Sequence, residues 1–595
     1  MDNQRNLLLA VALSGLLILG WDFGMRYFYP EASITAPIEQ SEPAAQTSAG
    51  NVSGTTTVAG DLPEGAEVPA GPVDLEAALA DPRRVVIDTP KVAGSINLVG
   101  ARIDDIVLKD YRQTVDEDSG PVRLFAPARS DGQYFAEFGF STDGRQMPSD
   151  AVWEADGERL TPSTPVTLTR TDDKGITYSI ALSIDENYMI SAEQSASNAT
   201  ESPAVIRPYA LIDRTSTTAT PDEFIIHSGP IGVFGGTLYD ANSYEELSEI
   251  GRDLPEGAVS WLGFTDRYWH SALIPGEGSV DTAGFRSLGD ELFRTGVTYD
   301  EQIVPAGSTL TQSTRLFAGA KDSIVLDQYE DSGITYFGKA ISWGWFEWFE
   351  KPMLWLLRTL NGLVGNFGVA IILLTVIVRA LMFPIAQKGF ASMAAMKAVQ
   401  PKMKAIQERY KDDKQQQQQE IMKLYKQEGV NPLSGCLPMF LQIPVFFALY
   451  KVLMLAIEMR HEPFIDFWIK DLSAPDPWTV LNLFGLLPYE VPGFLGIGVL
   501  AILLGITMFL TFKLNPSAMD PMQQQIFNIM PWILMFVMAP FAAGLLLYWV
   551  TSNILTLAQQ SYLYSKHPQL KAQAEKDKAE MAKKKAAEDK AKGKA

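Results

Sequence analysis

Cysteine and histidine are scarce in this chain of 595 residues. Its one cysteine is Cys436, so no intrachain disulfide can form, and the folded parts must rely on their cores for stability. The histidines show no pair at metal-ligand spacing: His227, His270, His461 and His567. We therefore expect no metal site.

The sequence signatures of common enzymes are also missing. The chain contains no G-x-x-x-x-G-K-[ST] phosphate loop, no G-x-S-x-G nucleophile elbow and no H-E-x-x-H zinc motif. We therefore expect a protein that is not an enzyme and that carries no cofactor.

Charge is distributed unevenly along the chain. Residues 29–345 carry 21 Lys and Arg against 49 Asp and Glu, a balance of −28, whereas the whole chain has a net charge of −21. The other residues are therefore net positive. An acidic soluble part joined to a basic membrane part is expected when Lys and Arg stay on the cytoplasmic side. We do not expect the acidic part to bind DNA.

Long apolar runs indicate an integral membrane protein with six spans. The first run predicts a signal-anchor helix within residues 1–29, with a cleaved signal peptide as the alternative. Residues 30–80, rich in Ala, Pro, Ser, Thr and Gly, predict a flexible linker. The last apolar block is too long for one span and is divided at Ala539, Pro540 and Gly544. The five further predicted spans are about 363–386, 436–457, 494–512, 526–541 and 543–563.

Residues 81–340 have a different pattern. Segments such as ITYSIALSI and STLTQSTRLFAG alternate apolar and polar residues between Gly, Pro and Asp, which predicts short antiparallel strands in a β-sandwich. Residues 341–362 contain Trp343, Trp345, Trp348 and Trp355. They predict an amphipathic helix in the headgroup region, the alternative being a helix packed on the sandwich.

The basic segments predict the topology. Residues 387–432 hold nine Lys and Arg against five Asp and Glu, and the tail, 566–595, holds ten against five. Both segments are therefore expected in the cytoplasm, so six spans place both termini there and the acidic domain outside. Residues 471–492 are then an external loop with a partly buried hydrophobic stretch.

The basic segment 387–432 predicts a cytoplasmic helical hairpin that turns at KDDK. A stripe at near-helical spacing forms either the seam of the hairpin or an adaptable docking surface; its members are Met393, Met396, Val399, Met403 and Ile406. The basic tail suits ribosomal RNA or anionic lipid.

Arg379 lies inside a predicted span, where a charged side chain is costly. One interpretation is snorkelling toward the interface near Lys388, about 13 Å away along a helix. The other is that Arg379 faces a water-containing groove and attracts acidic residues of a client. Thr375 shares its helix face, and the span holds no acidic residue. Further polar residues on other spans are Gln442, Asn528, Thr551, Ser552 and Asn553.

Four segments resemble the conserved core of the YidC family of membrane-protein insertases, of the Gram-negative type with a large periplasmic domain. They are TVIVRALMFPIAQKGFASMAAMKAVQPKMKAI, KLYKQEGVNPLSGCLPMFLQIPVFFALY, DPMQQQIFNIMP and GLLLYWVTSNILTLAQQ. The segment WLGFTDRYWHSALIP resembles the periplasmic domain of these proteins.

The resemblance implies roles for individual residues. Arg379 would be the arginine of a hydrophilic groove, with Thr375, Gln442 and Asn528 as polar neighbours. Tyr548 or Trp549 would face the client, although Trp549 replaces a tyrosine that the family pattern leads us to expect. The resemblance also implies that the spans starting near 436 and 526 form an apolar slide for the client.

The hairpin and the partners follow from the same resemblance. Asp412, with Asp413 beside it, would contact targeting factors. The implied partners are nascent membrane proteins, the Sec translocon, membrane lipids, the ribosome, and the signal recognition particle or its receptor. The loop at 478–493 is longer than the family pattern.

Three hypotheses follow from the sequence. The first is an insertase and chaperone of the bacterial inner membrane, acting alone or with the Sec translocon. The second is a polytopic solute transporter with an external sensor domain, although the sequence shows no internal repeat. The third is a chaperone that assembles helices already inserted.

Overall fold

The computed structural model describes residues 62, 73–116, 118–220, 226–411, 413–429, 437–487, 496–514 and 521–566. The predicted signal anchor, Asp412 and the tail beyond Lys566 lie outside these residues. The predicted linker, 30–80, is described only at Leu62 and from Val73 onward. Its end is not flexible coil, because Leu75–Leu79 form a short helix, α1, capped by the side chain of Asp74.

A β domain follows this helix. In chain order its strands in the described residues are β1 (Arg84–Asp88), β2 (Val92–Asn97), β3 (Arg102–Arg112), β4 (Pro121–Phe125), β5 (Tyr134–Thr142), β6 (Arg145–Gln146), β7 (Glu154–Ala155), β8 (Arg159–Leu160), β9 (Val166–Thr171), β10 (Ile176–Ile184), β11 (Met189–Asn198), β12 (Ala204–Thr215), β13 (Gly229–Phe234), β14 (Thr237–Tyr239), β15 (Arg252–Asp253), β16 (Val259–Thr265), β17 (Trp269–Pro275), β18 (Val280–Gly289), β19 (Leu292–Tyr299), β20 (Gln302–Val304) and β21 (Thr309–Ala320). Helix α2 (Tyr244–Ile250) interrupts them and begins with a capping box from Ser243 to Glu246.

The strands form two sheets that pack against each other. The larger runs β15-β18-β19-β12-β5-β3-β2-β1-β8, with β20, β4 and β6 paired at its sides. The smaller runs β14-β13-β16-β17-β21-β11-β10-β9-β7. Pairing is antiparallel except between β1 and β8. Inward residues of both sheets share one core that includes Trp153, Tyr178 and Trp261, which agrees with the predicted sandwich.

Helices follow the β domain. They are α3 (Ser323–Asp331), α4 (Glu347–Val364), α5 (Phe367–Arg409), α6 (Lys414–Gln427), α7 (Leu437–Leu455), α8 (Val499–Leu514), α9 (Pro521–Met538) and α10 (Ala543–Lys566). Helix α10 packs against α5, α7 and α8, while α4 packs against α5 and α7. The predicted break between the last two spans is present at residues 539–542, but Gly544 is not a breaker, because it lies inside α10.

Helix α5 joins two elements that the sequence predicts separately. It has 43 residues in all and contains both the span predicted to end at 386 and the first arm of the hairpin. At 1.5 Å per residue it is about 65 Å long, roughly twice the apolar thickness of a bilayer. Hydropathy falls after 386 while residues that favour helix continue, so the predicted end of the span is not the end of the helix. Beyond the turn, α6 packs back on α5 through Val399, Met403 and Leu424.

One helical segment in the described residues, Phe367–Gly389, is long and apolar enough to cross a membrane by length and composition. Three further apolar helical segments are shorter. They are Phe440–Leu455, Val499–Lys513 and Asn528–Met538.

The loop after α7, residues 456–487, contacts the first turns of three helices, and we call it the cap loop. Asn366, which caps α5, donates to the carbonyls of Pro463 and Phe464. The N–H of Leu500 in α8 donates to the Asp476 carboxylate at 2.8 Å. The first N–H groups of α10 donate to carbonyls of Leu472 and Ala474. Helices α5, α8 and α10 therefore begin at one end of the bundle, where α7 ends.

The β domain contacts this same end of the bundle. Arg267 donates to the Met454 carbonyl at 2.6 Å. Arg460 of the cap loop donates to the Arg112 and Gln113 carbonyls at 2.7 and 3.1 Å. Its guanidinium also lies 5.4 Å from the ring centre of Trp269. The hairpin, at the far end of α5, therefore extends from the opposite end of the bundle.

Candidate functional site

Arg379 lies in α5, about 18 Å from the first residue of the helix at 1.5 Å per residue. Its side chain is half-buried and bonds sideways to α10. Nε donates to Oγ of Ser552 at 3.0 Å, and Nη2 donates to the same oxygen. The guanidinium is therefore held between α5 and α10.

The charge of Arg379 has no acidic partner among the side chains that the structure describes. Both of its observed bonds go to one neutral hydroxyl, and its remaining nitrogen, Nη1, has no hydrogen bond to any side chain that the structure describes. Arginine has five N–H donors in a planar fork that matches a carboxylate. The guanidinium of Arg379 can therefore pair with a carboxylate that is not among the described side chains.

Tyr548 and Trp549 occupy different surroundings on α10. Tyr548 is 1% exposed, and its hydroxyl accepts from Nε2 of Gln442. The amide oxygen of Gln442 is buried and has no hydrogen-bond partner among the described residues. Trp549 is half-buried and meets Phe446 edge to face, with ring centres 5.1 Å apart. The Tyr548 hydroxyl is therefore hydrogen-bonded to α7, whereas the Trp549 indole packs against an aromatic ring of α7.

Thr375 and Asn528 are not part of the hydrogen-bonded set around Arg379. Thr375 is buried, and its hydroxyl donates to the Ile371 carbonyl of its own helix at 2.7 Å. It shapes the packing of α5 and offers no free polar group. Asn528 lies on an exposed face of α9.

Ser552, which the sequence offers only as one of several polar residues on other spans, is the partner of Arg379. Ser552 belongs to a stripe with Tyr548, Thr556 and Gln559, whose spacing places them on one face of α10. Thr556 donates to the Ser552 carbonyl at 2.7 Å, and Nε2 of Gln559 is buried with no partner in the part of the chain that the structure describes. This i, i+4, i+8, i+11 pattern was the available signal. Thr551 is half-buried, whereas Asn553 is buried and donates to Thr507 of α8.

Asp413, one of the two acidic residues predicted to contact targeting factors, has a structural role in the hairpin turn. The Asp413 carboxylate accepts from the N–H groups of Gln415 and Gln416 at 3.1 and 3.0 Å, so it caps α6. The predicted stripe is described at Val399, Met403 and Ile406, which pack against α6 as the seam of the hairpin. Met393 and Met396 have no described side chains.

Helix α4 divides into two faces. Met353, Leu354 and Leu357 pack into the core, while Trp348 and Trp355 are exposed. Trp343, at the start of the predicted amphipathic segment, is buried. On the packed face, burial raises the pKa of Glu350 to about 7, against the opposing charge of Lys451.

Comparisons with known proteins agree with this division into a β domain and a helical bundle. Residues 84–356 match the family model of the YidC periplasmic domain. Residues 359–572 match the family model described as 60Kd inner membrane protein.

Curated relatives extend the match over nearly the whole chain. The membrane protein insertase YidC of Rhizobium etli is 41% identical and covers 95% of this chain and 96% of its own. The insertase YidC of Zymomonas mobilis is 42% identical with the same coverage. A solved structure of an active YidC insertase with its first transmembrane domain resolved covers 81% of this chain and 92% of its own, at 18% identity and a TM-score of 0.36. The chain belongs to the YidC family of membrane protein insertases.

Proposed function

We propose that this insertase receives hydrophobic segments of nascent membrane proteins in a groove between α5, α7 and α10 and releases them sideways into lipid. The observation that carries the proposal is the half-buried guanidinium of Arg379, which bonds to one neutral hydroxyl and has no acidic partner among the described residues. Transient pairing with client carboxylates and burial of client apolar surface supply the driving force, without ATP or catalysis.

Each predicted site residue has a place in this proposal. Arg379 attracts the client, Gln442 and Tyr548 close the groove toward α7, and Trp549 offers the aromatic contact. Thr375 supports α5 through packing. Asn528, on the exposed face of α9, lies along the exit path into lipid.

We further propose the topology that the charge distribution predicts, with six spans in the inner membrane and both termini in the cytoplasm. Two features support it: the β domain meets the bundle where α5, α8 and α10 begin, and the hairpin extends from the opposite end. Opposite ends fit a periplasmic β domain and a cytoplasmic hairpin. Helix α4, with Trp348 and Trp355 exposed, then lies in the outer headgroup layer.

The hairpin and the tail are the proposed contacts for targeting. We propose that Asp413 and its sequence neighbour Asp412 contact the signal recognition particle or its receptor, and that the basic tail binds the ribosome. The Sec translocon is a further proposed partner. The solute-transporter hypothesis is not favoured, because the curated relatives that cover nearly the whole chain are described as insertases.

Site-specific photocrosslinking to ribosome-bound nascent chains tests the proposed path. A photoreactive amino acid at Trp549 should give an adduct with a nascent chain that carries a transmembrane segment. The same probe at Ile303, an exposed apolar residue of the β domain, is the control and should give none. Equal crosslinking at both positions, or none at Trp549, would contradict a client path along α10.

A further inference from the structure

Residues 478–487 of the cap loop, here the apolar loop, contain no charged residue. The prediction of a partly buried stretch holds for residues 471–479 but is wrong for 480–487, where Leu486 is 80% exposed. The exposed large apolar residues are Val480, Leu481, Leu483, Phe484, Leu486 and Leu487. Such a concentration on one short loop is typical of a surface that contacts a partner or a membrane.

Most N–H groups of the apolar loop have hydrogen-bond acceptors in the loop or directly beside it. The side-chain oxygen of Asn482 accepts from the N–H groups of Thr479 and Gly485 at 3.1 and 2.9 Å, and its amide donates to the Pro477 carbonyl. Phe484 and Leu487 donate to carbonyls within the loop at 2.8 and 3.0 Å. Unpaired backbone groups are costly in lipid, so a loop that bonds internally can enter the membrane surface.

Two apolar residues at the tip of the apolar loop have a strained backbone conformation and exposed side chains. Leu483 and Phe484 have φ values of 51° and 60°, in the left-handed region that large side chains rarely adopt. Both side chains are about half exposed. Such strain persists only where surrounding contacts impose it, and it occurs often at functional sites.

Asp476 fixes the loop at the end of a bundle helix. Its carboxylate is buried and accepts from the N–H of Leu500 in α8, from the N–H of Trp478 and from the indole of Trp468. Thr479 also pairs with Gly498, directly before α8. The apolar loop is therefore level with the first turn of an apolar helix, and its exposed surface continues that of the bundle.

We propose that the apolar loop inserts into the outer leaflet and anchors the β-domain end of the bundle in lipid. This inference rests on the topology in the proposed function, because only a spanning α8 brings the loop to the membrane surface. Lipid is the occupant that the structure favours, since the loop is uncharged, internally bonded and continuous with an apolar helix. The rings of Trp468 and Trp478 stack with their centres 5.3 Å apart at the base of the apolar loop. Tryptophan is common at the membrane–water interface, so this pair fits a loop at the membrane surface.

Fluorescence quenching in vesicles of phosphatidylethanolamine and phosphatidylglycerol tests this inference. In full-length protein with Cys436→Ser, an environment-sensitive dye is attached to Leu486→Cys, or to Leu483→Cys as a second position. Ile303→Cys is the water control, because Ile303 is 72% exposed on the β domain, and Ile506→Cys on α8 is the lipid control. Nitroxide lipids quench dyes in the bilayer, whereas iodide quenches dyes in water.

We expect nitroxide lipids to quench the Leu486 label and iodide to quench it severalfold less than the Ile303 label. If iodide quenches the labels at 486 and 303 equally while the Ile506 label reports lipid, the inference fails and the proposed topology stands. If the Ile506 label does not report lipid, the topology itself fails. Protection of the Leu486 label from both quenchers would mean that protein covers the loop, which also overturns the inference.

Discussion

Among the described residues, the Ser552 hydroxyl is the hydrogen-bond partner of Arg379. Because a charge in an apolar helix is costly, the sequence alone was enough to identify Arg379 as a candidate functional residue. The polar stripe on α10 includes Ser552, but it does not identify Ser552 as the partner of Arg379, because the two lie 173 positions apart and only the packing of α5 on α10 brings them together. The sequence also could not decide whether Tyr548 or Trp549 faces the client, because their surroundings depend on how α10 packs against other helices. The structure separates them by burial, since Tyr548 bonds to Gln442 and Trp549 lies against Phe446.

Ser552→Ala should lower the free energy of unfolding in detergent micelles by about 1 kcal/mol, since it removes the acceptor of two N–H groups of Arg379. Ser552→Thr keeps a hydroxyl at this position and is the matched control. We expect the threonine variant to be closer to the wild type. Equal stability of the alanine variant and the wild type would show that the bond contributes nothing.

Lys321 gives the β domain a pH-dependent stability. Its ammonium is buried and donates to Thr265 and to the Asp266 carbonyl, and burial lowers its pKa to about 7, partly opposed by Asp266. Burial and the charge of Lys321 also lower the pKa of His270 to about 3. Between about pH 7 and the ordinary lysine value near 10.5, the unfolded chain binds a proton that the folded chain does not. Stability should therefore rise with pH across this window.

Thermal unfolding of the full-length protein between pH 7 and 9.5 checks this expectation. The unfolding temperature of the β domain should rise with pH in the wild type, and this slope should be smaller in Lys321→Met. Lys174→Met, at an exposed residue paired with Asp143, should keep the slope of the wild type. The same slope in Lys321→Met and the wild type would assign the pH dependence to other groups.

Strands and helices were predictable from the sequence wherever apolar residues recurred with a single regular spacing. ITYSIALSI became β10 over the predicted residues, with alternate residues buried. Helix ends were less predictable, because hydropathy marks where a chain leaves lipid, whereas a helix ends where its caps are. Helix α4 ends at Gly365, whose φ is 68°, and Asn366 then caps α5. The contacts of the cap loop with three helix starts are tertiary, and no local pattern predicts them.

Close packing at the start of α5 should make Gly368 intolerant of a side chain. A methyl group there would overlap the ring of Phe464 in the cap loop. Gly368→Ala should therefore lower the free energy of unfolding by about 1–3 kcal/mol, measured by denaturant titration in micelles. Gly362→Ala in α4 is the control, because nothing lies within 4 Å of its added methyl group. It should be neutral or slightly stabilising, and a Gly368→Ala variant as stable as this control would refute the close packing.

At the scale of the whole molecule, arginine side chains connect the β domain to the bundle in addition to the continuous backbone. The acidic and basic halves predicted from the charge distribution correspond to the β domain and the helices. How the halves meet was not predictable, because Arg267, Arg460 and Met454 carry no periodic signal. Their contacts go mainly to backbone carbonyls, which any sequence supplies.

Arg460→Lys should loosen this junction, because lysine cannot donate to two carbonyls as a planar fork while it lies over Trp269. Hydrogen–deuterium exchange of the full-length protein should be faster at the end of β3, with little change in β10. Arg159→Lys, at an exposed ion pair of the β domain, is the control. Unchanged exchange at the end of β3 in Arg460→Lys would mean that other contacts fasten the domain.

The most direct test of the account is insertion of a matched pair of clients by purified full-length protein in vesicles. The clients differ only in whether the translocated segment carries acidic residues or their amides, and each is tested with wild type, Arg379→Ala and Arg379→Lys. We predict that Arg379→Ala impairs the acidic client severalfold, spares the neutral client, and that Arg379→Lys restores part of the loss. Equal insertion of the acidic client by the wild type and Arg379→Ala would contradict the role of the groove charge.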